Sequence, residues 1–150
     1  MIYLDNAATT KPFPEVVAKA TKIMTEQWGN PSSIYEFGEQ SKAEISLARY
    51  HVAAALGASP DEVYFTSGGT ESDNIAIFSG CTARYGAGQH IVTTAVEHAA
   101  VSKTVRNLRR GHGYKVDYIG LANGGLDLEA LECSITPQTA LVSVMLVQTR

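Results

Sequence analysis

Hydrophobic residues in the first third of the chain recur at the spacing of amphipathic helices. A short strand or extended arm at residues 2–4 precedes Pro12 and Pro14, which introduce a first helix that ends at Gly29. A second helix is predicted over residues 37–56, with Gly57 as its left-handed cap. The predicted inward positions are Val16, Val17, Ala20, Ile23, Met24 and Trp28 in the first helix, and Ile45, Ala48, Val52, Ala55 and Leu56 in the second.

From residue 59 onward, short apolar runs alternate with helical patterns. Strands are predicted at residues 63–66, 91–94, 114–119 and 140–147. Helices are predicted over residues 71–79 and 96–110, followed by a short helix that Asp127 caps and that runs through Cys133. Strands separated by helices form mainly parallel sheets with helices on both faces, so the expected fold class is α/β. Because no repeat or linker interrupts the pattern, residues 1–150 are expected to form a single domain.

Composition and charge exclude several classes of protein. A hydrophobic fraction of 45% with 18% charged residues is typical of a soluble globular chain and argues against disorder. The net charge of −3 provides no basic surface for nucleic acid or an anionic membrane. No apolar run approaches the ~20 residues that span a bilayer. The N-terminus lacks the basic and apolar regions of a signal peptide, so a cytoplasmic location is expected.

The cysteines and most histidines match no functional motif. Cys81 and Cys133 are spaced neither as zinc ligands nor as a disulfide framework, and each is predicted to be a small buried or half-buried residue. No metal site is therefore expected. The histidines that match no motif are predicted to lie at the surface; they are His51, His90 and His112.

A glycine-rich segment joins the strand predicted at residues 63–66 to the next helix. It reads Ser67-Gly68-Gly69-Thr70. Consecutive glycines let backbone N–H groups approach an anion without an intervening Cβ, and the following helix start adds unpaired donors and the positive end of its dipole. The segment lacks the Gly-Lys-Ser/Thr of a Walker loop and the G-x-G-x-x-G of a dinucleotide site. It is therefore either a phosphate-binding turn or only a tight turn before a helix.

His98 is expected close to this turn. Ligands of open α/β sheets lie beyond the carboxyl ends of the strands, and both the glycine turn and His98 follow predicted strands. The pattern places His98 just inside the helix over residues 96–110. There it serves as a cap or a surface residue, or it stacks on a flat heterocycle or transfers a proton. The residues alone leave these alternatives open.

Ordered segments of the chain resemble motifs of the cysteine desulfurases, members of the class V aminotransferase group of fold-type I pyridoxal-phosphate enzymes. The segments are Tyr3-Leu4-Asp5-Asn6-Ala7-Ala8-Thr9-Thr10, Asn30-Pro31-Ser32-Ser33 with Gly38 and Ala48-Arg49, Phe65-Thr66-Ser67-Gly68-Gly69-Thr70-Glu71-Ser72-Asp73-Asn74, and Glu97-His98 with Ala100-Val101. The predicted last strand, Val142-Ser143-Val144-Met145-Leu146, fits a fifth motif. The resemblance implies the amino-terminal arm and the first half of the large domain, without the rest of that domain or the small domain.

The resemblance also implies roles for particular residues. Gly69 and Thr70 would bind the phosphate of pyridoxal 5′-phosphate, and Thr70 would add its hydroxyl. His98 would stack on the cofactor ring and act as a catalytic residue in proton transfer. Residues at the mouth of the substrate site would be Asn6, Ala7 and Asn30. Glu71 and Asn74 are expected to cap and brace the helix instead of binding the cofactor.

Several features depart from the family's pattern. Tyr35 replaces a frequent histidine, and residues 148–150 replace an asparagine-bearing loop that contacts the cofactor ring. The Ser-x-His-Lys-type block, whose lysine forms the internal Schiff base, is not found in residues 1–150. The chain alone is therefore expected to be inactive. The lysines that it does contain are predicted to be solvated charges; they are Lys11, Lys19, Lys22, Lys42, Lys103 and Lys115.

The resemblance implies a reaction for the complete enzyme. It would take sulfur from L-cysteine, release L-alanine and pass a persulfide to an acceptor protein, for iron–sulfur clusters or thiolated nucleosides. A homodimer, or a second chain that supplies the lysine, would complete the active unit. The alternatives are another class V enzyme, such as a selenocysteine lyase or an aminotransferase, and a non-catalytic remnant. An open sheet edge at the last strand predicts poor solubility or association.

Overall fold

The computed structural model describes residues 2–83 and 88–147. The chain divides into two compact units, Met1–Phe65 and Thr66–Arg150, which we describe separately. Among the described residues, no helix combines the length and the apolar character that crossing a bilayer requires. The ring contact that the sequence at residues 148–150 was expected to alter lies outside the described residues.

The first unit contains two helices that follow an irregular arm. Helix α1 spans Pro14–Glu26, and helix α2 spans Glu36–Leu56 and ends in a left-handed cap at Gly57, whose φ is 68°. Both predicted helices and the cap are thereby confirmed. The predicted inward faces are wrong: α1 has no buried residue, and the buried residues of α2 are Gly38, Ser41 and Ala53. The described part of this unit contains no sheet for the helices to cover, so their apolar faces stay exposed or half-exposed.

The loop between α1 and α2 packs closely against the start of α2. A Cβ on Gly38 would lie 2.6 Å from the carbonyl oxygen of Asn30 and 2.7 Å from the Cβ of Ser33, so the position requires glycine. This close approach gives a packing reason for the spacing of the second family-like motif. Trp28 packs edge-on against Phe37 with ring centroids 5.1 Å apart, although 70% of Trp28 remains exposed.

Residues 63–66 do not form the predicted strand. They follow a 3-10 turn at Pro60–Glu62, and Tyr64 is 81% exposed. The Arg49 side chain holds this segment instead: its Nε donates to the carbonyl oxygen of Val63 at 3.1 Å, and its guanidinium lies 5.4 Å from the Phe65 ring centroid. The apolar run has the composition of a strand, but the described part of the first unit offers no strand to pair with it.

The second unit is built on a parallel sheet of three strands. Strand β1, His90–Thr94, lies in the centre, with β2, Lys115–Ile119, on one side and β5, Thr139–Ser143, on the other. Helices α3, Gly69–Ala83, and α4, Ala99–Gly111, precede β1 and β2 and pack on each other. The parallel strands and intervening helices confirm the α/β prediction. The core cluster consists of Ile77, Cys81, Ile91, Val105, Leu108 and Tyr114.

A small hairpin and a short helix connect β2 to β5. Strands β3, Leu121–Ala122, and β4, Gly125–Leu126, pair across Asn123 and Gly124, whose φ values are 53° and 79°. Two positive φ values are the requirement of a tight hairpin turn, and Asn-Gly is its strongest sequence signal. The sequence interpretation missed this hairpin. Helix α5, Leu128–Ser134, begins with the predicted cap, because Asp127 Oδ1 accepts from Ala130 N at 2.9 Å.

The predicted exposure of His90 and the predicted burial of Cys133 are both wrong. His90 is buried because it opens the central strand, where its Nδ1 lies 2.9 Å from Thr139 Oγ1 and its Nε2 3.1 Å from Asp117 Oδ2. Cys81 is buried as predicted, whereas Cys133 is exposed, because it lies on α5, a helix without buried residues.

Candidate functional site

The glycine turn folds back on the first turn of α3, which begins at Gly69 and not at the predicted residue 71. The backbone N and the Oγ of Ser67 donate to Glu71 Oε2 at 2.6 and 2.7 Å. The hydroxyls of Thr66 and Ser72 lie 2.7 Å apart. These bonds confirm that Glu71 caps the turn, which leaves its carboxylate engaged with Ser67.

The hydrogen bonds to Glu71 also determine how it titrates. The bond from the Ser67 backbone N–H, and then the bond from the Ser67 hydroxyl, lower the pKa of the Glu71 carboxyl. A folded-state pKa below the ordinary value means that this cap stabilises the fold above the ordinary carboxyl pKa. The contribution is lost as the pH falls through the lowered pKa. The cap is therefore formed at neutral pH.

The backbone at Gly68 and Gly69 faces open space. A Cβ at either position would meet no atom within 4 Å apart from its neighbours along the chain and the backbone of its own helix. The first N–H groups of a helix have no acceptor inside it, and no described residue supplies one for the N–H groups of Gly69 or Thr70. The turn therefore presents open backbone donors at the positive end of the α3 dipole, next to the exposed Thr70.

His98 is the cap of α4 and lies one residue before the helix, not inside it as predicted. Its Nδ1 accepts a hydrogen bond from Ala100 N at 3.1 Å. A neutral imidazole that accepts at Nδ1 carries its proton on Nε2. The cap therefore fixes both the ring and its tautomer, while the residue stays exposed. The capping alternative is confirmed, and it leaves Nε2 free for further chemistry.

One cavity brings Thr70 and His98 together. It lies between α3 and α4 and has a volume of about 360 Å³, within the range of small-molecule sites. Packed core atoms do not fill it, and the exposed Lys103 contributes a positive charge to its wall. Gly69 is not part of the wall but precedes Thr70 in the turn. The polar lining residues are Thr70, Asn74, His98, Lys103, Thr104 and Asn107.

The structure confirms the predicted role of Asn74 in bracing α3. Its Nδ2 donates to the carbonyl oxygen of Thr70 at 2.7 Å. The sequence interpretation did not identify Lys103 or Asn107 as lining residues, although the four-residue spacing between them puts both on one face of α4. The predicted exposure of Lys103 and of the other lysines is confirmed, and Lys19 forms a 2.7 Å ion pair with Glu44.

The sequence interpretation also missed Glu97. Its Oε1 accepts from Thr94 Oγ1 at 2.9 Å and from Met145 N at 2.6 Å. The carboxylate thus joins the end of β1 to the segment that follows β5, immediately before His98. A carboxylate after a predicted strand was the available signal. Its partner Thr94 is local, but its partner Met145 lies 48 residues further along the chain and could not be foreseen from spacing.

The residues predicted at the substrate mouth belong to the first unit. Asn6, Ala7 and Asn30 are all exposed. Asn30 also has a local role, because its Oδ1 accepts from Ser32 N at 2.9 Å and its carbonyl oxygen accepts from Ser33 N at 3.0 Å. Their binding of substrate stays a prediction.

Comparison with known proteins gives consistent results along the whole chain. The family model for aminotransferase class-V matches residues 2–150. A cysteine desulfurase IscS from Methanosarcina thermophila is 47% identical over 145 residues, which cover 96% of this chain and 36% of that protein. The chain thus spans little more than a third of this relative.

Solved structures have the same fold. A NifS-like protein matches with a TM-score of 0.91 at 35% identity. The match covers 98% of this chain and 40% of the NifS-like chain. A structure of SspA in complex with cysteine matches with a TM-score of 0.85 at 31% identity. The match covers 95% of this chain and 41% of the SspA chain. These matches support the fold-type I assignment for the front part of such a protein.

Proposed function

We propose a function from the premise that this chain belongs to the aminotransferase class-V family. The chain forms the cofactor-binding front part of a pyridoxal-phosphate-dependent cysteine desulfurase. The observation that carries the proposal is the cavity that Thr70 and His98 share. Relatives along the full chain are named as cysteine desulfurases, which favours this activity over other class V chemistry.

The glycine turn fits the phosphate of the cofactor. Open backbone donors at Gly69 and Thr70 and the helix dipole favour a dianionic group. The Thr70 hydroxyl would add a charge-assisted hydrogen bond, and Lys103 a further positive charge on the same wall. Glu71, although acidic, is occupied by Ser67.

His98 fits the side of the site that receives the pyridine ring. An imidazole held at Nδ1 by Ala100 N offers a fixed flat face for stacking. Its Nε2 carries the proton in the neutral tautomer, so the same residue can hold or move a proton beside the substrate.

The proposed reaction belongs to the complete protein. Pyridoxal phosphate, when bound, supplies the electron sink for cleavage of a carbon–sulfur bond. That bond of L-cysteine breaks, a sulfur–sulfur bond forms on an acceptor thiol, and a proton returns to the carbon that loses sulfur. L-cysteine and a thiol thus give L-alanine and a persulfide. Asn6, Ala7 and Asn30 are the proposed substrate contacts.

The partners follow from the same proposal. The complete protein would have a sulfur-accepting protein as its partner, and a second copy of this chain or a complementing second chain would complete the active unit. The structure of SspA that contains cysteine supports an amino acid of this kind as the substrate class.

Titration of the chain with pyridoxine 5′-phosphate and with pyridoxine tests the cofactor site. Neither compound has an aldehyde, so exposed lysines cannot react with them. We expect calorimetry to show tighter binding of the phosphorylated compound. Thr70→Val should weaken that binding about tenfold or more, because a hydrogen bond to a charged group contributes about 1.5–3 kcal/mol.

Matched variants separate the two sides of the site. Thr70→Ser keeps the hydroxyl and should retain most of the affinity. His98→Ala should weaken both compounds about two- to tenfold through the lost ring contact. Equal affinity for the two compounds in the unaltered chain would contradict the proposed phosphate turn.

A further inference from the structure

We propose that Asn74 is a positioning residue that couples the start of α3 to the start of α4, and so sets the spacing between the phosphate turn and the His98 imidazole. The inference rests on the proposed function and deepens it. It assigns the site to ligands that carry an anionic group and a flat ring at one fixed separation.

The two ends of the Asn74 side chain bind different helices. Its Nδ2 donates to the carbonyl oxygen of Thr70 at 2.7 Å, within α3. Its Oδ1 accepts from Thr104 Oγ1 at 2.7 Å, on α4. Thr104 is only 6% exposed, so the loss of this acceptor would leave a buried hydroxyl with fewer partners. An amide suits this position because it donates at one end and accepts at the other.

The connection continues from Thr104 to His98. Thr104 Oγ1 also lies 2.7 Å from the carbonyl oxygen of Ala100, so its proton is shared between that oxygen and Asn74. The backbone N of Ala100 donates to His98 Nδ1 at 3.1 Å. A continuous series of contacts therefore runs from the carbonyl of Thr70 to the imidazole ring of His98.

This connection acts on a ligand that touches both helix starts. Inorganic phosphate is bound mainly by the turn before α3, and a change in the position of α4 alters only the charge that Lys103 adds. A ligand with both phosphate and ring needs the two helix starts at the right spacing. Preorganisation of that spacing contributes to affinity because the protein need not order it on binding.

Ring ¹⁵N spectra of His98 test the coupling in the chain without any ligand. We expect an acceptor-type Nδ1 and a protonated Nε2 in the unaltered chain. Asn74→Ala and Thr104→Val should each reduce the difference between the two ring-nitrogen shifts, because a looser α4 start weakens the cap. Thr104→Ser should restore the difference. Thr82→Val is the matched control, since among the described residues the Thr82 hydroxyl bonds only the Phe78 carbonyl of its own helix.

Binding measurements then test the ligand class. Asn74→Ala should weaken pyridoxine 5′-phosphate about two- to tenfold, with less effect on inorganic phosphate. If the His98 shifts stay unchanged in both Asn74→Ala and Thr104→Val, the coupling is overturned. If the unaltered chain binds no pyridoxine 5′-phosphate, the proposed function fails, while the spectra still decide on the coupling. Should Asn74→Ala not fold, the Thr104→Val and Thr104→Ser pair decides alone.

Discussion

At the scale of single residues, the two cysteines show how surroundings control chemistry. Cys81 is 1% exposed and lies in the core cluster, and burial raises the pKa of its thiol. Cys133 is exposed on α5. The thiolate is the reactive form, so access and ionisation both disfavour reaction at Cys81.

We predict that iodoacetamide labels Cys133 in the native chain and labels Cys81 only after unfolding. Mass spectrometry of peptides from native and urea-treated samples measures both sites at once. A Cys133→Ser variant, in which the native signal should disappear, is the control. Rapid native labelling of Cys81 would mean that the core around it opens readily.

At the scale of elements, His90 connects all three strands of the sheet. It opens β1, and its ring contacts Thr139 of β5 and Asp117 of β2. The Nε2–H group of His90 donates to the Asp117 carboxylate, and in the neutral ring Nδ1 accepts a hydrogen bond from the Thr139 hydroxyl. The side chain of Asp117 is 56% exposed, so solvent weakens its share of the contact.

We predict that His90→Phe lowers the free energy of unfolding by about 1–3 kcal/mol, because it removes both contacts of a buried polar group. Asp117→Asn should cost less, about 0–1 kcal/mol, because that partner is exposed. Urea unfolding followed by circular dichroism measures both. Equal costs for the two variants would contradict the larger role of the buried ring.

Sequence patterns predicted the elements that local signals define. Gly57 and Asp127 mark helix ends through their own backbone or side-chain chemistry, and both were predicted correctly. The segment at residues 63–66 was not, since a strand depends on a neighbour that composition cannot supply. The inward faces of α1 and α2 were predicted wrongly for the same reason, because burial of a helix face also depends on a neighbouring element. The hairpin at Asn123 was within reach of a local signal and was overlooked.

The candidate site was predictable only in part for the same reason. The motifs placed Thr70 and His98 at helix starts, and the structure puts both on one cavity. The bond between Asn74 and Thr104 joins residues on different helices, so only packing reveals it. Sequence spacing shows which residues share a helix face but not which helix lies opposite.

At the scale of the whole molecule, the sheet of the second unit has two open sides within the described residues. In the part of the chain that the structure describes, strands β2 and β5 each pair only with β1. Large apolar side chains also remain exposed in both units, including Met24 at 76% and Tyr118 at 42%. Unpaired strand edges and exposed apolar surface both favour association.

We predict that the chain associates as its concentration rises, measured by sedimentation velocity. Val142→Lys should reduce this association, because a lysine on an edge strand opposes pairing with another chain. Val142 is 41% exposed, so the fold should tolerate the change. Gln40→Lys adds the same charge on α2 and should have less effect. A chain that stays monomeric at all concentrations would contradict the prediction.

The fluorescence of the exposed Trp28 indole can be used to follow the unfolding of the first unit. Trp28 is the sole tryptophan of the chain, and it lies against Phe37 of the same unit. Its fluorescence therefore follows the melting of residues before the glycine turn, whereas the buried Tyr114 belongs to the second unit. If the Trp28 and Tyr114 signals change at the same temperature, the two units unfold as one cooperative unit. If they change at different temperatures, the two units unfold independently.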